Sequence, residues 1–472
     1  MMRVARALEA LIVVVAFGCD SKSEDGSKKA AVPAKTEPPP VPPVKAEPPA
    51  PAAPTSSAST NEQLLADADK IAAKVSELRG LAIKQPIKRG VMNKEQITER
   101  LLLRVNQEYA PDEIAKEEVA LKRLGLLPPN VVYLDVVIEL LKSQIAGFYD
   151  PWEKQLYLME GAGPMGGPEV MAHEIDHALQ DQHFGLKKWV TEVKHNADAT
   201  LARQALVEGD GTALMLEYAM ADKGAGAAPW GEPEFVQEQA STIRMGLVLM
   251  ADVPLFLRES LVFPYVNGLK FVGSARAQRS WKQIDGFYAR PPLSTEHIIH
   301  PEKYDDYEKP IEIKAALPAA IGKYKRGYEN VLGEMGLWLL LRQHGVDEGV
   351  AKGAVGGWGG DRIAVFTLPG KKGDKPDWAS AVAVVYAVWD APADADEFFA
   401  AAGQAMGGLS GGGSEVSRSE DLVVFGGGGE AVAVLEKKKD AVLLVVGVVP
   451  GGGDAGKLRA QVWKGWKVAR PR

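Results

Sequence analysis

The five residues His173-Glu174-Ile175-Asp176-His177 bring two imidazoles and two carboxylates together in the sequence. Positions four apart share one face of a helix, so both histidines can bind a single metal ion. The Glu174 carboxylate follows the first histidine and lies toward the open coordination position of such an ion, where it can take a proton from water. The pattern therefore predicts a zinc ion bound by His173 and His177, with Glu174 as the general base of a hydrolysis.

A catalytic zinc ion usually has three protein ligands, so the two histidines require a third. Glu208 follows downstream, and a carboxylate on a second helix packed against the first would complete the set. His183 gives the spacing of metzincins, but those proteins have a helix-breaking glycine where this chain has Gln180. On an unbroken helix, His183 would be displaced about 15 Å along the axis from His173. We therefore expect Glu208 to be the third ligand. The alternatives are His183, Asp198 and Glu217.

With Glu208 included, the pattern resembles the gluzincin clan of zinc metallopeptidases, over roughly residues 90–310. The resemblance implies that His173, His177 and Glu208 bind zinc and that Glu174 acts as base and acid in peptide-bond hydrolysis. The segment around Glu208 also resembles one found in uncharacterised, peptidase-like bacterial lipoproteins. Thermolysin-like members carry an aspartate four residues after the glutamate ligand, which orients a ligand histidine. This chain has a threonine at that position and an aspartate two residues earlier, at 210.

Peptide hydrolysis also requires a group that stabilises the oxyanion of the transition state. Thermolysin-like enzymes use a histidine and a tyrosine that follow the glutamate ligand. In this chain the proline-bounded turn 291–301 contains His297 and His300, and Tyr288 precedes it. We expect His297 to fill this catalytic role, with His300 and then Tyr288 as alternatives. The competing interpretation is a structural turn in which Ser294 caps a short helix.

Strand and helix patterns predict the elements that hold these residues. Segments 145–149 and 155–159 read as strand, turn, strand, and the second could be the edge strand along which a peptide pairs. Pro168 is typical of a first helical turn, so the helix with both histidines begins there. The stretch 198–220 predicts a second helix, which carries the glutamate ligand, although two glycines weaken it. Residues 63–310 are thus predicted to be a mainly helical, zincin-like domain with a small edge sheet.

The last third of the chain differs in composition. Valine- and alanine-rich segments separated by glycine turns predict an antiparallel sheet, with a helix over residues 393–406. The predicted strands are 362–368, 379–389, 421–425, 430–435 and 441–449. Residues 311–472 are therefore predicted to be a smaller α+β domain, and the fold class of the whole chain is α+β. Trp358 beside Arg362 is predicted either to form an exposed stacking surface or to fill the core.

The first residues predict export. Residues 7–17 form an apolar run, interrupted only by Glu9, after two arginines. It is too short to span a bilayer, which requires about 20 apolar residues. Cys19 follows this run. The arrangement resembles the lipobox of bacterial lipoproteins, in which the signal (here 1–18) is removed and the cysteine is acylated. Residues 19–62 are rich in proline and alanine and predict a disordered linker. We therefore expect a lipid-anchored, extracytoplasmic protein of the bacterial cell envelope, with a membrane as partner.

Composition excludes several protein classes. Of the 472 residues 46% are hydrophobic and 25% are charged, fractions that exclude collagen-like, wholly disordered and polytopic membrane proteins. The 55 basic residues do not outnumber the 62 acidic ones, so nucleic acid is not an expected partner. The sequence has one cysteine, which excludes an intramolecular disulfide and a cysteine-based zinc cluster.

Two functions are consistent with these observations. The first is a membrane-tethered zinc metallopeptidase that acts on peptide or protein substrates. The alternative is a non-catalytic envelope lipoprotein that uses a zincin scaffold for protein binding. Glu174 favours the enzyme, because a binding protein has no need to keep the general base.

Overall fold

The computed structural model describes residues 12–15, 56–160, 167–193, 195–245, 253–370, 377–427, 431–447 and 455–471. The predicted acylation site Cys19 and most of the predicted linker lie outside these residues. Residues 56–62 belong to a helix, which therefore begins within the segment predicted to be the linker. These polar residues lack an apolar pattern because they extend a helix whose apolar face begins further along the chain. In the described part of the chain, no helix is long and apolar enough to cross a membrane.

A four-stranded sheet supports the helix that carries the two histidines. Its strands are β1 (Ile12–Val15), β2 (Lys88–Met92), β3 (Ile145–Asp150) and β4 (Gln155–Met159), in the order β1-β3-β4-β2. β3 and β4 form the predicted antiparallel hairpin, whereas β2 pairs with β4 in parallel. The prediction that Gln155–Met159 is an edge strand is therefore wrong, because β2 occupies its outer side. β1, from the predicted signal segment, pairs antiparallel with β3 on the other side of the sheet.

Helices form most of the remaining structure before residue 310. They are α1 (Ser56–Arg79), α2 (Lys94–Glu108), α3 (Pro111–Arg123), α4 (Tyr133–Gln144), α5 (Pro168–Phe184), α6 (Leu186–Thr191), α7 (Ala197–Asp222), α8 (Pro233–Met245), α9 (Leu255–Arg276), α10 (Trp281–Ala289), α11 (Thr295–Ile299) and α12 (Pro301–Asp306).

α5 begins at Pro168 as predicted, since proline at the first helical position has no amide hydrogen that the helix would leave unpaired. Glu169 places a negative charge in the first turn, where it interacts favourably with the positive end of the helix dipole. The helix ends at Gly185, whose φ of 69° lies in the left-handed region that suits glycine. Residues 171–181 of α5 are all buried, so the helix lies in the core. Both histidine side chains therefore contact other parts of the protein rather than solvent.

α7 and α9 cross at very close range, and glycine makes this crossing possible. A Cβ atom on Gly209 would lie 2.2 Å from the carbonyl oxygen of Gly268, and one on Gly268 would lie 2.1 Å from the carbonyl oxygen of Ala205. Side chains at either position would therefore force the two backbones apart. The glycines that weaken the sequence prediction for α7 are thus required for packing, and the helix runs through them without interruption.

Gly268→Ala is expected to lower the free energy of unfolding by about 3 kcal/mol, because its methyl group would collide with backbone atoms that cannot rotate away. Denaturant-induced unfolding measures this loss. Gly286→Ala is the matched control, because no atom lies within 4 Å of a Cβ placed there and alanine is the better helix former. Equal effects of the two substitutions would contradict the proposed role of the crossing.

The C-terminal part contains a seven-stranded sheet in the order β6-β7-β8-β12-β11-β10-β9, and all its neighbouring strands are antiparallel, as predicted. The strands of this part are β5 (Glu312–Lys314), β6 (Lys325–Asn330), β7 (Trp358–Thr367), β8 (Val382–Trp389), β9 (Ser414–Ser419), β10 (Leu422–Gly427), β11 (Ala431–Lys438), β12 (Ala441–Val446) and β13 (Lys467–Ala469). Its helices are α13 (Gly333–Gln343), α14 (Glu348–Val355), α15 (Pro392–Leu409) and α16 (Ala455–Gly465). The α+β fold class is therefore confirmed.

The two faces of this sheet bury different cores. Alternate residues such as Ile363 and Val385 join the core that continues into the helical domain, whereas Ala364 and Val384 pack in a separate cluster with Leu458 of α16. This alternation follows from the two-residue period of a strand. The C-terminal sheet is thus anchored to the helical domain by one continuous apolar core.

Trp358 lies at the start of β7 with 1% of its surface exposed, and its indole N–H donates a hydrogen bond to Asp361. The interpretation of Trp358 as an exposed stacking surface is therefore wrong, and the interpretation as a core residue is confirmed.

Candidate metal centre

Three of the predicted site residues converge between α5 and α7. The Nε2 atom of His173 lies 3.2 Å from Oε2 of Glu208, and the Nε2 atom of His177 lies 3.4 Å from the same oxygen. One ligand atom from each residue lies within 4.8 Å of the other two. All three side chains are buried. The helix pair thus places two nitrogen donors and one carboxylate oxygen around a common point.

The donor set and its spacing fit a zinc ion. Ligand atoms about 2.1 Å from a tetrahedral zinc ion stand about 3.4 Å apart, close to the two distances from Glu208. The Nε2 atom of His177 is buried and has no hydrogen bond, so a cation at this point would give it a partner. Two imidazoles and one carboxylate are also the ligands of a catalytic zinc site that keeps a position open.

Gly211 leaves the space that the two imidazoles need. A Cβ atom on Gly211 would lie 3.0 Å from the Cε1 atom of each ring, tighter than ordinary van der Waals contact. The rings stand edge to face, with their centroids 4.4 Å apart. Glycine three positions after Glu208 therefore lets α7 approach the imidazoles closely while the glutamate reaches the same point.

Gln180 orients His177, an arrangement that sequence reasoning missed. The Nδ1 atom of His177 lies 3.0 Å from Oε1 of Gln180, whose amide nitrogen donates to Asp176 over 2.7 Å. This contact fixes the ring so that Nε2 faces Glu208. The position of Gln180, three residues after His177 on the same helix, was the available signal.

Behind the site, Arg79 of α1 donates two hydrogen bonds to Asp210, 2.8 Å and 2.9 Å long. The Tyr288 hydroxyl donates a third to the same carboxylate. Tyr288 is therefore committed to Asp210 and buried, which does not fit the alternative role in oxyanion stabilisation. Asp210 lies two residues after Glu208 on α7, and no sequence signal connects it with Arg79.

The charges of the three donors are coupled. Burial and the neighbouring His177 lower the pKa of His173 to about 4. Burial also opposes protonation of His177, but the Glu208 carboxylate outweighs it and raises the pKa of His177. For Glu208, burial favours the neutral acid, yet the two imidazoles lower its pKa. Glu208 is thus a carboxylate at neutral pH, the form that binds a metal ion.

Glu174 is fully buried on α5, directly after the first histidine. It lies beneath β3, because a Cβ atom on Gly147 would be 3.8 Å from Cγ of Glu174. The general-base candidate is therefore adjacent to His173 on the helix and close to a strand of the sheet.

The alternative third ligands are engaged elsewhere. His183 contacts the carbonyl oxygen of Ala82 through Nε2, at 2.8 Å. Asp198 accepts hydrogen bonds from the backbone and hydroxyl of Thr295. Glu217 accepts hydrogen bonds from the side chains of Trp230, Arg276 and Trp281.

His297 is not brought to the metal centre. The Leu293 amide donates to its Nδ1 at 3.3 Å, and its Nε2 lies 2.7 Å from the carbonyl oxygen of Glu308. Burial lowers the pKa of His297 to about 4, so the ring is neutral. Ser294 caps α11 by accepting from the His297 amide, as the structural interpretation proposes. Both ring nitrogens have backbone partners, at Leu293 and Glu308, which favours the structural interpretation over the catalytic role expected for His297.

His300, the first alternative, contacts Glu334 of α13 through Nε2 at 3.0 Å. The turn 291–301 therefore joins the helical domain to the C-terminal part. Sequence reasoning could not separate this role from a catalytic one, because the partner glutamate lies on another element.

The buried carboxyl of Asp198 is expected to make the free energy of unfolding depend on pH. Burial raises the pKa of this carboxyl from 3.8 to about 7. The folded protein therefore holds a proton that the unfolded chain releases near pH 4, and this contribution to stability falls as the pH rises from about 4 to about 7. Asp198→Asn should remove it, so the variant should gain up to about 4 kcal/mol over the native chain between pH 4 and pH 8.

Unfolding by denaturant at several pH values checks this prediction, because other titrating groups cancel in the comparison of the two proteins. Parallel stability profiles for the variant and the native chain would contradict it.

In a comparison with known protein families, residues 323–458 match a family model described as a domain of unknown function, DUF8575. This segment lies in the C-terminal part and contains none of the residues of the metal centre. No curated protein and no solved structure matches the chain.

Proposed function

We propose that this protein is a zinc-dependent metallopeptidase, tethered to a bacterial envelope membrane by a lipid on Cys19. The observation that carries the proposal is the convergence of His173, His177 and Glu208 on one buried point, with Glu174 beside them. The resemblance of the motif to gluzincins supports the choice of peptides or proteins as substrates. Neither line of support selects a particular substrate.

Glu174 takes a proton from water as the water oxygen attacks the carbonyl carbon of the substrate. It returns that proton to the departing nitrogen when the carbon–nitrogen bond breaks, so that a carboxylic acid and an amine are formed. A bound zinc ion would acidify water and polarise the scissile carbonyl. Gln180 holds the His177 ring during this sequence, and burial of the donors excludes bulk water from them.

β3 is the strand along which we expect an extended substrate to bind. A Cβ atom on Gly147 would lie 3.8 Å from Cγ of Glu174, so β3 passes close to the proposed base. Val14 of β1 pairs opposite Gly147, which supports the capacity of this side of β3 to accept an antiparallel strand. If the predicted signal segment is removed, the backbone groups of β3 that pair with β1 become available to a peptide.

Hydrolysis of an unstructured protein such as casein tests the proposal. We expect cleavage by the purified protein, complete loss after incubation with 1,10-phenanthroline, and recovery when zinc is added back. Cleavage that survives removal of the metal would contradict a zinc mechanism. Zinc-loaded protein that cleaves neither casein nor a mixed peptide library would favour the non-catalytic scaffold.

A further inference from the structure

A second cleft, with a volume of about 280 Å³, lies between α9 and the helices α13 and α14. Val266 and Lys270 of α9 line it. These residues lie about 160° around the helix from Gly268, which faces α7. The cleft is therefore on the side of α9 that faces away from the metal centre, and it has no part in the hydrolysis proposed above.

Half of the residues that line this cleft are apolar, and half are polar or charged. Phe263 and Val266 of α9 face Met335 and Trp338 of α13 across it. Removing such apolar surface from water lowers the free energy, so an apolar ligand group is expected to bind there. The volume fits a small organic molecule rather than a folded partner.

Three cations surround the same cleft: Arg244, Lys270 and Lys352. Half-burial lowers the pKa of Lys270, and the positive charges of Arg244 and Lys352 lower it further. Arg244 is paired with Glu259 at 2.8 Å. Among the residues that the structure describes, Lys270 and Lys352 have no ion pair. Glu259, Glu334 and Glu348 also line the cleft, but in the described structure no carboxylate oxygen lies within 4 Å of either ammonium group. Both ammonium groups can therefore pair with an anionic ligand.

Glu334 adds a hydrogen-bond acceptor to the cleft. Its Oε1 is 3.0 Å from Nε2 of His300, whereas its Oε2 is buried and has no hydrogen-bond donor in the described structure. The side chain is 3% exposed. An unpaired buried carboxylate oxygen is costly, so a ligand that donates an N–H or O–H here would be favoured.

We propose that this cleft binds a small amphipathic carboxylate, with an apolar body on Phe263 and Trp338, its carboxylate between Lys270 and Lys352, and an N–H or O–H directed at Glu334. N-acylated amino acids carry all three features. The site does not depend on the metal centre, so its existence and the proposed peptidase activity can be judged separately.

Calorimetric titration of the purified protein tests the proposal with three matched probes. N-octanoylglycine has the carboxylate and the amide N–H, its carboxamide lacks the charge, and N-octanoylsarcosine lacks the N–H. We expect N-octanoylglycine to bind. The carboxamide should bind about tenfold more weakly because it loses the charged interaction with the lysines, and the sarcosine because it loses the hydrogen bond to Glu334. Equal binding of the acid and its carboxamide, or no binding of the acid at millimolar concentration, would overturn the proposal.

Lys270→Met and Lys352→Met remove the charges while keeping most of each apolar stem. Each should weaken binding of N-octanoylglycine about tenfold and leave binding of the carboxamide unchanged. Lys282→Met is the control, because Lys282 is exposed and outside the cleft. If both cleft variants bind the acid as the control does, the proposed carboxylate position is wrong. If a variant does not fold, the three probes on the native chain still decide.

Discussion

Glu174→Gln is expected to lower kcat for peptide hydrolysis by about a thousandfold while the zinc content per chain stays the same. The amide has the shape of the carboxylate but cannot take a proton from water, and general-base catalysis contributes rate factors of this size. Zinc should remain because Glu174 is not among the three converging donors. Steady-state kinetics and elemental analysis on the same preparation measure both quantities.

Glu169→Gln is the matched control for this substitution. It makes the same chemical change in the first turn of the same helix, before the first histidine. We expect its kcat to equal that of the native chain. A Glu174→Gln variant with unchanged turnover would show that another group is the base, and a variant that loses zinc would show that Glu174 is needed to hold the metal.

Glu208→Ala should weaken zinc binding by more than about a hundredfold, a larger loss than removal of an outer hydrogen-bond partner of a ligand usually causes. Glu208 is the carboxylate that lies near both imidazoles, at 3.2 Å and 3.4 Å. His183→Ala should leave zinc affinity unchanged, because the His183 ring contacts the Ala82 carbonyl instead. Competition with a chromophoric chelator measures both affinities.

The pair of variants separates the two ligand sets that the sequence allows. If zinc affinity fell in His183→Ala and not in Glu208→Ala, the metzincin-like spacing would be the functional one. Thermal unfolding of both variants checks that the loss of affinity is not a loss of fold.

Local features of the candidate site could be predicted from the sequence. His173 and His177 share a helix face because of their spacing alone, and Pro168 marks the start of that helix. Glu208 could be placed because α7 reads as a helix in spite of Gly209 and Gly211. The structure gives the reason for those glycines, which is the close approach of α9 and of the two imidazoles.

Features that depend on distant partners could not be predicted. Arg79 donates to Asp210, which follows it by 131 residues in the chain. His297 has the residue type of a catalytic group, but its role is decided by the carbonyl of Glu308 on a later segment. Histidine chemistry in a sequence is therefore ambiguous until its hydrogen-bond partners are known.

The sheets show the same limit. Valine-rich β8 and β12 were predictable because every residue in them is apolar and buried. β2, with the sequence KRGVM, and the fully exposed β9 carry no such pattern. Missing β2 led directly to the wrong assignment of β4 as an edge strand, since a strand is an edge only if nothing pairs with its other side.

The zinc-to-protein ratio of the purified protein, prepared without chelators and measured by elemental analysis, tests the central claim most directly. The proposed site predicts a ratio near one for the native chain and near zero for a chain in which His173 and His177 are both replaced by alanine. A ratio near zero for the native chain, with no recovery after incubation with zinc and dialysis, would contradict a zinc site at His173, His177 and Glu208.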